Sequence, residues 1–134
     1  MIDVLYGCAV LGTGGGGPLE DGLKMMSPHF EKGETLKLIT LDELPDDEYV
    51  VTPYGCGAPS AKPDAKFREL EISETAASVL AAQALEEALG KKIYAVGSTE
   101  LGGANTAEAL HAALVMGVPL LDADPAGRSV PELQ

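Results

Sequence analysis

The stretch Gly12-Thr13-Gly14-Gly15-Gly16-Gly17 puts five glycines into six residues, between the apolar run Val4–Leu11 and Pro18. Fixing such a run in one conformation has a high entropic cost. A fold that keeps it between Leu11 and Leu19 is expected to use bare backbone there. The run reads as N–H groups wrapping an anion or a small polar ligand, with Gly14, Gly15 and Gly16 at its centre. The competing reading is a flexible connector, but connectors usually carry Ser and charge. Gly12-x-Gly14-x-x-Gly17, with Asp42 about 25 residues further on, also matches the dinucleotide-binding fingerprint, which requires a strand before it and a long helix after it. No Lys follows the last glycine, so this is not a phosphate-binding P-loop.

The surrounding chain limits what such a loop can serve. A net charge of −12 argues against nucleic acid and anionic membrane as partners. No apolar run approaches the roughly 20 residues of a membrane span. No basic segment precedes the first apolar run, so no signal peptide is expected. Cys8 and Cys56 form no CxxC pair, and a reduced, cytoplasmic setting follows as the expectation. Cys56, between two glycines, is the better placed of the two as a nucleophile, although a small buried residue is its plainer reading. His29 and His111 form no HExxH-like pair, so no metal site is expected, and His111 reads as a structural or surface residue. With 134 residues, aromatics at 4% and no Trp, the chain reads as one domain with an aliphatic, small-residue core.

Ile2, Leu5, Cys8 and Leu11 favour a helix over residues 2–11, with a buried strand as the alternative. Pro18 suits a helix start, and Leu19, Leu23 and Met26 give a second helix ending at Ser27-Pro28. Strands are expected at 35–41, 49–54, 93–97 and 118–121. Helices are expected at 75–89, with Ser73 as N-cap and Gly90 as stop, and at 106–116, stopped by Gly117. Strand–helix–strand spacing of this length implies parallel pairing, hence a three-layer α/β/α domain with a mostly parallel sheet.

In such sheets ligands collect beyond the strand C-terminal ends. Three loops leave strands there: Gly55–Ser60, Ser98–Asn105 and Asp122–Arg128, and the glycine run is expected to join them. Their polar functions are Glu100, Asn105, Asp122, Asp124 and Arg128, with Gly57 as exposed backbone. A carboxylate beside such a cradle is suited to general-base work. Asn105 offers both a donor and an acceptor, suited to an amide edge. Arg128 is placed to hold an oxyanion or to pair with Asp122 or Asp124.

Four strings in order, Leu11–Gly17, Val50-Val-Thr-Pro-Tyr-Gly-Cys-Gly-Ala-Pro59, Glu100-Leu-Gly-Gly-Ala-Asn105 and Asp122–Gln134, resemble the amino-terminal domain of the S-methyl-thiohydantoin desulfurase-like proteins. The resemblance covers nearly the whole chain. It implies a three-layer α/β domain that in the family precedes a β-rich second domain, absent from this sequence. Completion by a second domain or chain, or by homo-oligomerisation, is therefore expected. It also implies hydrolysis of a methylthio-substituted five-membered cyclic ureide to the hydantoin and methanethiol. On that basis Glu100 or Asp124 is cast as base, Asn105 as ring-amide partner and the glycine loop as cradle; no cofactor is indicated. A non-catalytic small-molecule or nucleotide-binding module is the alternative, and an acidic interaction domain without a ligand is a third.

Overall fold

The computed structural model describes residues 1–56 and 73–129. Residues 2–11 are helical as favoured: α1 runs Ile2–Gly12 and stops where Thr13 turns left-handed at φ 48°, its N–H reaching the Val10 carbonyl. Because a helix precedes the glycine run, the strand context of the dinucleotide fingerprint is absent. Helix α2 runs Leu19–Glu31 and continues through Pro28, where the sequence predicts an end. Proline leaves the carbonyl four residues back without its usual N–H partner. That carbonyl, on Lys24, instead accepts the Ser27 hydroxyl at 3.0 Å.

The strands are shorter than their sequence patterns: β1 is Leu38–Ile39, β2 Val50–Val51, β3 Ala95–Gly97 and β4 Leu120–Leu121. Helix α3 runs Ala77–Leu89, and Ser73 does not cap it; the Ser73 hydroxyl accepts the Thr75 N–H in a local turn. Helix α4 runs Gly103–Met116 and so begins three residues before the expected start. The strands form one all-parallel sheet in the order β1-β4-β3-β2. The α/β class and parallel pairing read from the sequence are thus observed.

Residues alternate between the two sheet faces. Val51, Val96 and Leu120 meet Leu5, Met26, Val79 and Leu110 in the main core, to which all four helices contribute. Ile39, Ala95 and Leu121 face the other way, into a smaller cluster with Leu44. Leu44 sits in the connection from β1 at one sheet edge to β2 at the other, and that connection covers this face. The adjacent β3 and β4 are joined through α4, which places the start of α4 at the exit of β3. Among the described residues no helix is long and apolar enough to cross a membrane.

Helix α2 lies alongside α4 in the same direction. A Cβ on Gly22 would run into the Gly103 carbonyl, and further along His29 meets His111. The contact at the far end is a relay of three titratable groups. The Glu34 carboxylate and His29 Nδ1 are 2.5 Å apart, and His29 Nε2 and His111 Nδ1 are 2.8 Å apart. A carboxylate only accepts, so His29 Nδ1 donates to it, and a single proton lies between His29 Nε2 and His111 Nδ1. The sequence reading of His111 as a structural or surface residue did not foresee this pairing, which joins residues 82 apart in sequence.

Candidate functional site

The glycine run is built against the start of α4. The Gly16 carbonyl accepts the N–H groups of Ala104, at 3.2 Å, and Asn105, at 2.9 Å. The first N–H groups of a helix have no partner within it, and here a carbonyl from a distant loop supplies one. Gly16 holds φ +68°, and a Cβ there would lie 2.6 Å from the Gly102 Cα. Both the conformation and the close backbone approach therefore require glycine. Gly15 is half-buried against Ser129, whose hydroxyl donates to the Gly12 carbonyl at 2.8 Å. Gly14, at φ +98°, has nothing within 4 Å of a Cβ placed on it and stands open. The run thus acts first as a seam between α1, α4 and the loop after β4, with Gly14 as its exposed member.

Glu100 follows β3 and holds φ +56°, the left-handed region that side chains other than glycine rarely adopt. Its Oε2 accepts the Asn105 amide at 2.6 Å. The same amide group donates to the Gly55 carbonyl at 3.3 Å, while Asn105 Oδ1 accepts the Gly55 N–H at 3.0 Å. Asn105, 6% exposed, thereby ties the exit of β2 to the loop after β3 and fixes one carboxylate oxygen of Glu100. Both donors of its amide are engaged within the protein, and one lone pair of Oδ1 is left over. Glu100 itself is half-buried, and its Oε1 has no protein partner among the described residues.

Asp124 lies beyond β4, with Oδ1 accepting the Ala126 N–H at 3.1 Å and Oδ2 buried without a partner among the described residues. Ser98, at the exit of β3, also has a buried hydroxyl without a partner among the described residues. Buried polar atoms without partners are rare and mark places for water or a ligand. Asp122 and Arg128 are exposed, and Arg128 pairs with neither Asp122 nor Asp124. Gly57 lies outside the described residues. Cys56 is exposed and Cys8 is buried in α1.

The structure therefore brings Gly16, Glu100, Asn105 and Gly55 into one contact network, with the Asp124 loop joined to it through Ser129. Asp122 and Arg128 remain at its margin. Sequence reasoning missed Ser98, Ser129 and the Gly55–Asn105 bridge. Ser98 opens a loop that the pattern singled out, whereas the other two depend on long-range pairing. No group of three or more His, Cys, Asp or Glu able to hold a metal is present among the described residues.

A search of curated proteins gives no match. Among solved structures, the chain is similar to an X-ray structure of a protein from Chromobacterium violaceum, with 29% identity and a TM-score of 0.67. The likeness covers 97% of this chain and 34% of that one, so the chain spans about a third of the length of that relative. The family model described as "S-Me-THD-like, N-terminal domain" matches residues 1–134. The chain belongs to the S-Me-THD-like family, as its N-terminal domain.

Proposed function

We propose that the ends of β2, β3 and β4 bind a five-membered cyclic ureide and that Glu100 promotes hydrolysis of its methylthio group. The observation that carries this reading is the anchored carboxylate. Glu100 is held in a left-handed conformation, with Oε2 fixed by Asn105 and Oε1 without a protein partner among the described residues. Strained backbone of this kind persists where surrounding contacts over-determine it, and it gathers at functional sites. The family's description, S-Me-THD-like, supports a substrate of this class.

In the proposed step Glu100 Oε1 takes a proton from water, and the water oxygen adds to the ring carbon bearing sulfur. The electron pair of the ring C=N bond moves to nitrogen, which takes up the second water proton; the carbon–sulfur bond breaks, methanethiolate leaves with the proton that Glu100 held, and the ring carbon becomes the carbonyl of the hydantoin. Water is the co-reactant, and no electrons are exchanged with a cofactor. Asn105 acts as a positioning residue, holding the carboxylate and the β2 exit in register. Asp124, with its buried Oδ2, is the candidate partner for a ring N–H.

The test is methanethiol release from an S-methyl-thiohydantoin, followed with a thiol reagent. Glu100→Gln is expected to lower turnover at least a hundredfold, within the range of general-base contributions, without moving the melting temperature. Unchanged turnover in that variant removes Glu100 from the chemistry. A second reading, a non-catalytic binding module, rests on Ser98 Oγ and Asp124 Oδ2, which are buried at the strand ends without a partner among the described residues. Under that reading a hydantoin raises the melting temperature by mass action while no methanethiol appears. A shift with NAD or ATP alone would point to nucleotide binding.

A further inference from the structure

Beside Gly55 a cleft of about 560 Å³ opens between the exit of β2, helix α3 and Glu108 of α4. Its volume lies in the range of small-molecule sites. Most of its wall is aliphatic, from Val51, Ala81, Ala82 and Leu85. Thr52, Tyr54, Ser78 and Glu108 bring polar groups to that wall. Ser78 is 8% exposed, and its Oγ has no hydrogen-bond partner among the described residues; Oε2 of Glu108 is likewise buried and unpartnered among them. Both residues line the cleft.

A buried acceptor without a donor carries its full desolvation cost, and a carboxylate needs a positive or strongly donating partner. The net charge of −12 makes the surroundings attractive to cations. We infer that this cleft is a binding site for a primary ammonium on a short aliphatic body, with the ammonium held by Glu108 and Ser78. The three donors of an ammonium suit both acceptors at once, and the aliphatic body lies on Val51, Ala82 and Leu85. The inference does not rest on the ring chemistry proposed above, because it is read by binding alone.

The probe is n-hexylammonium, compared with n-hexanol of equal chain length, in NMR titrations of the full chain. The ammonium is expected to bind at least tenfold more tightly, with shifts concentrated at Thr52–Gly55 and Ala77–Leu85. Glu108→Gln is expected to remove the preference over hexanol, and Ser78→Ala to reduce it. Equal binding of the two probes, no binding, or shifts on another face overturns the inference. So does an ammonium preference that survives in Glu108→Gln, which marks general attraction to an acidic surface. Should Glu108→Gln fail to fold, the ammonium–hexanol comparison in wild type and in Ser78→Ala decides the matter alone.

Discussion

Helix α4 is held to α2 in two different ways along its length. At its start, backbone meets backbone: Gly22 packs on Gly103, and Gly102 packs on Gly16. Two turns further on, side chain meets side chain, through His111, His29 and Glu34. The first contact has no titratable atom and no spare volume. The second has three titratable groups and tolerates small changes in shape. Steric substitutions should therefore act on the first contact and protons on the second, and the candidate site adjoins the first.

Gly22→Ala is expected to have the largest effect. Its Cβ meets the Gly103 carbonyl, which as backbone cannot swing aside. A loss of about 3 kcal/mol is expected, read as a fall in denaturant midpoint. A variant as stable as wild type would mean that the seam is loose. Asn105→Ala comes next. It leaves the Gly55 N–H and carbonyl without their partners, for about 1–3 kcal/mol, and it frees the Glu100 carboxylate. Stability within a few tenths of wild type would show that water replaces the amide.

The histidine clasp gives a pH effect. Burial, and then the charge of His29, hold the His111 imidazole below the usual histidine range. The fold therefore keeps His111 neutral while the unfolded chain takes up a proton near pH 6.5. This contribution is present above that value and fades as pH drops toward the folded one. The hydrogen bond from His29, with the nearby charges of His29 and Lys32, holds Glu34 below the usual carboxylate range. Its contribution is present above about pH 4.5 and is lost at lower pH. The two slopes have the same sign, while Glu108 opposes the first by favouring protonated His111. The melting temperature is expected to fall between pH 7.5 and pH 5, and His111→Gln to flatten that fall. Gly22→Ala should keep the wild-type slope; a flattened slope there would mean that the two contacts are one.

The smallest effect has the opposite sign. Gly7, inside α1, has nothing within 4 Å of a Cβ placed on it. Gly7→Ala is expected to stabilise by about 0.5–1 kcal/mol. Destabilisation would show that α1 packs against something more than its visible neighbours.

Much of the fold was legible because helix and strand periodicities are local. Leu5 and Cys8 face the core at helical spacing, and Val96 lies between residues of the opposite sheet face as strand alternation demands. What escaped depends on distant partners. The early start of α4 rests on a Gly16 carbonyl more than eighty residues away, and the continuation of α2 rests on Ser27 meeting Lys24 across Pro28. The glycine run itself was legible as bare backbone, but its main employment is close packing on Gly102. A run of glycines signals close approach without saying whether a ligand or another chain segment approaches. Glu100 and Asn105 stood out as polar residues in a post-strand loop. Their hydrogen bond, and the left-handed backbone of Glu100, could be seen only in three dimensions.

The most direct measurement is an NMR titration of the amide-labelled chain with a hydantoin. The account predicts shifts confined to Gly14–Gly17, Tyr54–Cys56, Ser98–Asn105 and Asp122–Ser129, with the α2–α4 histidine clasp silent. Shifts centred on the clasp or on the outer face of α1, or no shifts at saturating ligand, would contradict it.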